Sequence, residues 1–312
     1  MRKQPPKFYN INQSALYKCR SKRKLAELLK CDLKTIQQMA KDIKLYYDSF
    51  SMSKKDSEKV RKVDAPNEQL KRTQKNILKL LQRIEKPDYV MSGTLGKSHI
   101  DNAQYHIKGS YFLKTDIKQF YNNCSRDRVY RFYVDKMKTS PDVANILTDL
   151  TTYNNIIPTG SPSSQIIAYF AYEDMFNNMY IKAKENGFLM SLYVDDLVFS
   201  RTDYIDYKSF LREIEVEALK FNHSLKKSKT MYYSPNRSAL VTGVIIKNKK
   251  MKIPNRLRNN TILQYKNIKK DKNKDEKTEL SLIGSINSAR MIEPNHFNGV
   301  FSFYKQIKKT PK

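Results

Sequence analysis

Two adjacent aspartates, Asp195 and Asp196, stand at the centre of an apolar stretch over residues 190–200. β-Branched and aromatic residues on both sides favour two strands, with the Asp pair at the tight turn between them. Neighbouring carboxylates repel each other, and a divalent cation that prefers hard oxygen ligands, such as Mg²⁺, would relieve that repulsion. The pattern is therefore typical of a site for two-metal phosphoryl transfer. The alternative is ordinary turn chemistry, in which Asp hydrogen-bonds its own backbone.

A third carboxylate is needed to hold two metal ions, and Asp116 is the best candidate. The alternating sequence over residues 111–117 predicts a half-buried strand that ends at this residue. Alone, Asp116 could equally be a helix N-cap or a turn residue. If Asp116 ends the strand, three carboxylates would meet at one edge of an antiparallel sheet. One would come from the end of a strand, and the other two, after an intervening helix, from the tip of a hairpin.

Three neighbouring features could complete such a site. Tyr121 follows Asp116 closely, so its ring could pack under a sugar and exclude a 2′-hydroxyl, or it could be a core aromatic beside Phe120. A Pro/Gly/Ser loop over residues 157–165 runs into a predicted helix, whose free N–H groups suit a phosphate or a template base pair. A basic cluster over residues 226–230 includes a lysine that could protonate a leaving pyrophosphate, although surface basic clusters are common.

The charge balance indicates a polyanionic partner. The chain of 312 residues has 59 Lys and Arg against 31 Asp and Glu, a formal net charge of +28, which fits nucleic acid. We expect no membrane span, because no apolar run approaches about 18 residues, and no signal peptide. Three widely spaced cysteines without a Cys/His cluster predict no zinc site and fit a reducing cytoplasm.

The elements that must position these residues follow from apolar periodicity. Besides the two strands of the Asp-Asp hairpin, we predict one strand over 238–246 and a polar loop over 51–59. Residues 247–270 predict an amphipathic, phosphate-facing helical segment, with a solvated basic tail as the alternative. A charged linker is expected over 271–279. Helices are predicted over 22–29, 33–39, 70–84, 126–138, 163–180 and 207–221, with a final buried helix at 280–292.

Taken together, these residues resemble the reverse transcriptases, and among them those of retrons. The order of the motifs over residues 60–246 makes the resemblance far more specific than any one motif. Two of them, NAxxH at Asn102–His106 and VTG at Val241–Gly243, are narrower to retron enzymes. The others are Asp116 with Phe120-Tyr121, Pro158–Ser164, Tyr193–Asp196, Lys229-Thr230, and the fingers residues Arg61, Pro66, Leu70 and Gln74. The chain departs from the usual pattern at Thr159, where Gln is usual, at Lys226, where Asn is more usual, and at Tyr121, where Phe is frequent.

The resemblance implies an α+β right-hand polymerase fold with fingers, a palm built on an antiparallel sheet, and a helical thumb. The implied domains are an N-terminal helical basic region (1–60), fingers (61–111), a palm (112–246) with a fingers-type insertion at about 125–157, and an RNA-binding thumb (247–312).

The resemblance also implies site residues. Catalytic Asp116, Asp195 and Asp196 would bind two Mg²⁺ ions together with the backbone carbonyl of Ile117. Nucleotide-binding residues would be Arg61, Tyr121, Thr159, Gly160 and Lys229. RNA-binding residues would be Asn102, His106, Val241, Thr242, Gly243, Lys249, Lys250, Lys252, Arg256 and Arg258. For His106 we favour a structural, hydrogen-bonded role and keep RNA contact as the alternative.

The implied function is that of a bacterial, cytoplasmic RNA-directed DNA polymerase. It would use dNTPs to copy part of a cognate structured noncoding RNA into branched msDNA, an RNA–DNA hybrid primed from a guanosine 2′-hydroxyl. Retrons are anti-phage systems, so the implied partners include a separately encoded toxic effector, in a possible higher-order complex. Two alternatives stay open: another prokaryotic reverse transcriptase, group II intron-like or diversity-generating, and a nonenzymatic RNA-binding scaffold with a relict palm.

Overall fold

A computed structural model of the protein describes residues 7–53, 60–270 and 276–309. Within these residues the strands form three antiparallel sheets. The strands are β1 (Tyr47–Ser53), β2 (Val60–Pro66), β3 (Tyr111–Asp116), β4 (Leu189–Tyr193), β5 (Asp196–Arg201), β6 (Met231–Tyr233), β7 (Ala239–Val241), β8 (Val244–Lys247) and β9 (Lys250–Lys252). The α-helices are α1 (Lys22–Leu29), α2 (Leu33–Lys41), α3 (Glu68–Leu81), α4 (His99–Tyr105), α5 (Arg126–Arg131), α6 (Pro141–Thr151), α7 (Ser164–Ala171), α8 (Glu173–Glu185), α9 (Tyr207–Leu219), α10 (Asn255–Lys270), α11 (Glu276–Ile292) and α12 (Asn298–Lys309).

A four-stranded sheet in the order β4-β5-β3-β6 carries the predicted Asp-Asp hairpin and the predicted strand that ends at Asp116. Side chains alternate between its two faces, as strand geometry requires. Leu113 and Phe199 pack into the large core beneath the helices. Phe112 and Val198 face a second core, shared with β7 and β8. Because both faces are covered, the strands are apolar on both faces, which explains the continuous apolar flanks of the aspartates.

The N-terminal helices agree with the predicted pattern, whereas the predicted loop over 51–59 is wrong where it is described. Residues 51–53 belong to β1, which pairs with β2 in a hairpin, and residues 54–59 lie outside the described residues. Only the first residue of β1 is buried. A strand with so little buried surface has no sustained apolar alternation, so it could not be predicted from periodicity.

The single helix predicted over 163–180 is two helices, α7 and α8. Tyr172 leaves the helical conformation, and Glu173 and Asp174 begin the next helix with acidic groups in its first turn. Carboxylates there are favoured by the helix dipole. Apolar periodicity continues across the break, which is why the sequence indicated one helix. The predicted helix over 126–138 continues from α5 into a π-helical turn at Phe132–Lys136.

The C-terminal region also differs from the prediction. Instead of one strand over 238–246, β7 and β8 form a hairpin in which Val241 pairs with Val244. The turn residues Thr242 and Gly243 both have positive φ, 43° and 85°. This is the backbone that a tight two-residue hairpin requires. The segment predicted as helical from 247 contains β9 before α10, α11 already begins within the predicted linker, and α12 follows the helix predicted to be the last.

Candidate active site

The three predicted carboxylates converge at one edge of the central sheet. Asp116, the last residue of β3, is the cross-strand partner of Asp196, the first residue of β5. Asp195 lies in the turn between β4 and β5, and its carbonyl accepts a hydrogen bond from the N–H of Ile117 at 2.9 Å. The antiparallel register therefore brings together residues that are about eighty positions apart in the sequence.

Two lysines form ion pairs with Asp116 and Asp196, the carboxylates on either side of Asp195. Lys229 donates a hydrogen bond to the nearly buried carboxylate of Asp116. Lys114 lies two residues before Asp116 on the same face of β3, and its Nζ is 3.4 Å from Oδ2 of Asp196. This is the diagonal cross-strand geometry that long side chains can span. The sequence indicated Lys229, whereas Lys114 was missed although its spacing from Asp116 placed it on that face.

Lys229 reaches Asp116 because its segment is fixed to the end of β3. The N–H of Lys226 donates to the carbonyl of Asp116 at 2.7 Å, and the N–H of Lys118 donates to the carbonyl of Ser224 at 2.8 Å. These bonds form an isolated antiparallel bridge between Ile117 and Leu225. The basic segment is thus held against the carboxylates by backbone pairing, which separates it from an ordinary surface cluster.

Asp195 is the least compensated of the three carboxylates. Burial, and then the negative charges of Asp116 and Asp196, raise its pKa to about 6. A carboxylate with a raised pKa between two others is a site of stored electrostatic repulsion, which a cation would relieve.

A cavity of about 560 Å³ opens on this edge of the sheet. It brings together the three aspartates with Tyr121, Thr159 and Lys229, all six predicted from the sequence. Phe120 and Lys226, which belong to motifs noted in the sequence, also line it, and the lining residues that the sequence did not indicate are Val60, Lys62, Gln119 and Asn122. Arg61 lies in β2 between two lining residues, but its side chain is outside the described part of the chain.

The Pro/Gly/Ser loop forms one wall of the cavity because it is attached to β2. The N–H of Gly160 donates to the carbonyl of Asp64 at 3.2 Å, and the hydroxyl of Thr159 donates to the carbonyl of Lys62 at 3.4 Å. A Cβ on Gly160 would lie 2.4 Å from the Asp64 oxygen, so only glycine allows this approach. Gly160 therefore sets the position of the loop and does not itself line the cavity.

The two aromatic residues after Asp116 have different positions. Phe120 is buried and packs against Tyr172, Phe176 and the ring of His223. Tyr121 is only partly buried, and both rings line the cavity. The place of Tyr121 in the cavity agrees with a ring beside a nucleotide, and its packing against the core agrees with a core aromatic beside Phe120, so both interpretations stay open.

The NAxxH and VTG motifs contact each other. Nδ2 of Asn102 lies 3.3 Å from the hydroxyl of Thr242, which in turn donates to the carbonyl of His99 at 2.9 Å. Asn102 and Val241 are buried, so direct RNA contact is wrong for these two side chains, whereas Gly243 is exposed in the turn. The two motifs thus join α4 to the β7–β8 hairpin.

His106 has a structural position, so direct RNA contact is wrong for its side chain. The ring is fully buried, and its two nitrogens lie 2.7 Å from the hydroxyls of Ser191 and Ser200. These serines belong to β4 and β5, the two strands of the Asp-Asp hairpin. Burial lowers the pKa of His106 to about 3, so the ring is neutral and can accept one bond while it donates the other.

The predicted basic RNA contacts lie outside the cavity. Lys249 and Lys250 are exposed in the turn between β8 and β9 and at the start of β9, Lys252 ends that strand, and Arg256 and Arg258 follow in the first turn of α10. They form a basic surface at the junction of the small sheet with the C-terminal helices.

The donor chemistry of the site fits divalent cations. Among the residues that the structure describes, no group of three or more His, Cys, Asp or Glu side chains is gathered closely enough to hold a metal ion. Lysine ammonium groups instead lie against Asp116 and Asp196, and the pKa of Asp195 is raised by its neighbours. The carboxylate donors at this edge are all oxygens, which Mg²⁺ prefers, and the two lysines occupy the carboxylates that such an ion would contact. In the described chain, no helix combines the length and apolar character needed to cross a membrane.

Comparison with known proteins agrees with this geometry. The family model described as reverse transcriptase (RNA-dependent DNA polymerase) matches residues 52–266 of the 312. The chain is 28% identical over 235 residues to the Retron Se72 reverse transcriptase of Salmonella heidelberg (strain 579083-10), covering 72% of this chain and 61% of that protein. It is 23% identical over 235 residues to the Retron Ec86 reverse transcriptase of Escherichia coli, covering 73% of this chain and 72% of that protein.

A solved structure of apo telomerase from Candida tropicalis, truncated from the C-terminal domain, is also similar. Its TM-score is 0.49 at 12% identity, with 67% of this chain and 55% of that chain covered.

Proposed function

Because the chain belongs to the reverse transcriptase (RNA-dependent DNA polymerase) family, we propose that it is the active RNA-directed DNA polymerase of a retron. The family carries the right-hand polymerase fold. The observation that supports activity is the convergence of Asp116, Asp195 and Asp196 on one cavity with Lys229 and Tyr121. This arrangement argues against a nonenzymatic scaffold, which has no need of three adjacent carboxylates.

In this mechanism two Mg²⁺ ions would be held by the three aspartates and the backbone carbonyl of Ile117. When bound, they would lower the pKa of the attacking hydroxyl and stabilise charge on the triphosphate. Lys229 would leave Asp116 and protonate the departing pyrophosphate. The ring of Tyr121 would pack against the sugar and exclude a ribose 2′-hydroxyl, and the loop at Thr159 would support the nascent base pair.

The finer parts of the proposal concern the template and its partners. We expect a cognate structured noncoding RNA, priming from a guanosine 2′-hydroxyl in it, and a branched msDNA product. The similarity to retron enzymes and the contact between the Asn102–His106 and Val241–Gly243 motifs support this assignment over group II intron-like or diversity-generating enzymes. Anti-phage defence with a separately encoded toxic effector completes the proposal.

The domain assignment that goes with this function has fingers at 61–111, a palm at 112–246 and a thumb at 247–312. The exposed cations of the thumb would bind the phosphates and 2′-hydroxyls of A-form RNA, because side chains cannot reach the bases through its deep, narrow major groove. Affinity for the cognate RNA should then fall as salt rises, and more shallowly after Lys249, Lys250 and Lys252 are changed to Gln. A salt slope that stays the same in the triple variant would contradict this role.

Primer extension with Mg²⁺ and dNTPs on an RNA template tests the catalytic proposal. Asp195→Asn and Asp196→Asn should each abolish extension while RNA affinity stays within about twofold of wild type, because neither side chain lies on the basic surface. Asp127→Asn is a matched control, since this carboxylate is exposed and pairs with Arg131. Extension at the wild-type rate by either hairpin variant would refute the assignment.

The nucleic acid that copurifies with the protein tests the retron assignment. A branched RNA–DNA species, resistant to separation until the 2′–5′ linkage is cut, is the expected result. Linear cDNA alone would instead favour one of the other prokaryotic reverse transcriptases.

A further inference from the structure

The turn that carries Asp195 has an unfavourable backbone. Tyr193 pairs with Asp196, so Val194 and Asp195 are the two central residues of the hairpin turn. Val194 has a φ of 62°, in the left-handed region. Glycine normally occupies such a position, and a β-branched residue there is an outlier that its surroundings must stabilise. Outliers of this kind are typical of functional sites.

The N–H of Val194 donates a hydrogen bond to the hydroxyl of Ser92 at 2.6 Å. This is a side-chain contact between residues about one hundred positions apart, and Ser92 lies in a loop that neither the carboxylate motifs nor the cavity include. The bond replaces the ladder partner that this N–H lacks at the hairpin tip. It therefore acts on the strained residue itself.

The position of Ser92 is fixed by the strand beside it. The N–H of Leu192 donates to the carbonyl of Tyr89 at 2.8 Å, and the N–H of Met91 donates to the carbonyl of Leu192 at 3.0 Å. Residues 89–91 thus run parallel to β4 and are nearly fully buried. Ser92 follows directly, so its position is fixed by β4, and its hydroxyl contacts the turn at the end of that same strand.

We propose that Ser92 is a positioning residue for the carboxylates of the turn. The inference rests on the proposed polymerase function of Asp195 and Asp196. The turn is held at two points, by Ser92 at the Val194 N–H and by the Ile117 N–H at the Asp195 carbonyl. Without the first, the turn can relax toward a less strained backbone, and the two carboxylates then leave the geometry that the metal ions require.

A double-mutant cycle tests the proposal through activity. Ser92→Ala should lower kcat for primer extension about three- to tenfold and raise the Mg²⁺ concentration for half-maximal activity, with KM for dNTP and RNA affinity within twofold of wild type. Ser92→Thr, which keeps the hydroxyl, should retain at least about half of the wild-type kcat. Glycine adopts the Val194 backbone without strain. In a Val194→Gly background, Ser92→Ala should therefore cost less than about twofold.

Amide hydrogen exchange tests the contact without any catalysis. In the metal-free protein, a peptide that covers the Val194 amide should lose protection in Ser92→Ala and keep it in Ser92→Thr, while peptides from α6 stay unchanged. Unchanged protection at Val194, or an equal loss of kcat in the two backgrounds of the cycle, would overturn the inference. A third outcome is that Ser92→Ala loses protection but the wild-type protein cannot extend a primer. That result would refute the proposed function and would still support the contact between Ser92 and the turn.

Discussion

Stability at mildly acid pH should depend on His106, which joins the two strands of the Asp-Asp hairpin. Its ring is fully buried between Ser191 and Ser200, and burial lowers its pKa to about 3. In the unfolded chain the pKa of histidine is about 6.5. Below pH 6.5 the histidine therefore becomes protonated in the unfolded state but stays neutral in the folded state. The folded state loses stability as the pH falls from about 6.5 toward 3.

The size of this effect follows from proton linkage. Between pH 7 and pH 5, a histidine with these two pKa values costs the folded state about 2 kcal/mol. His223 is also buried, and burial together with the charge of Arg128 lowers its pKa to about 4, which predicts a similar cost. For a chain of 312 residues, a loss of about 2 kcal/mol corresponds to a fall of roughly 3 °C in the unfolding midpoint.

Leucine variants distinguish the two histidines. Both histidines should contribute a similar pH-dependent loss of stability, but of the two rings only that of His106 has hydrogen-bond partners among the described residues. His106→Leu leaves two buried serine hydroxyls without their partner and should cost about 2–4 kcal/mol at pH 7. Within the described structure the ring nitrogens of His223 have no hydrogen-bond partner, so His223→Leu should be nearly neutral at pH 7. Each variant should lose about 2 kcal/mol less than wild type on going to pH 5.

Urea unfolding at pH 7, 6 and 5 measures both the cost of each substitution at pH 7 and the loss of stability as the pH falls. The expected result is that the wild-type free energy of unfolding falls toward that of His106→Leu as the pH is lowered. Parallel curves for wild type and His106→Leu would show that the ring takes up its proton in the folded state and would refute the assignment of a neutral, strand-joining histidine.

Two further predictions concern residues next to the site. Gly160→Ala should cost roughly 2–4 kcal/mol in urea unfolding and displace the loop, because its Cβ would lie 2.4 Å from the Asp64 carbonyl oxygen. Gly284→Ala, in the open interior of α11, should instead stabilise by up to about 1 kcal/mol; a similar loss in both variants would contradict the steric explanation. Lys114→Met should tighten Mn²⁺ binding, measured by calorimetry, roughly two- to fivefold, because it removes a cation that pairs with Asp196; unchanged or weaker binding would contradict this competition.

The sequence predicted the parts of the site that follow from local patterns. The apolar flanks of Asp195 and Asp196 predicted a strand–turn–strand element, and alternation ending at Asp116 predicted the third carboxylate. The β1 strand was missed because its exposed side chains carry no apolar period. Ser92 could not be found in this way, since a single serine in a loop has no pattern and its partner lies about one hundred residues away.

Charge balance explains why this site can hold its shape before any metal ion binds. Lys229 pairs with Asp116 and Lys114 pairs with Asp196, so each flanking carboxylate has a protein cation, while Asp195 between them has a raised pKa. Cations that enter would replace both lysines at the carboxylates, because a divalent ion attracts a carboxylate more strongly than an ammonium group does. Lys229 would then be released on the side of the cavity where a triphosphate would lie. In the proposed mechanism, metal binding and the release of the proton donor would therefore be a single event. Lys229→Met is then expected to weaken the coupling between Mg²⁺ concentration and the rate of pyrophosphate release.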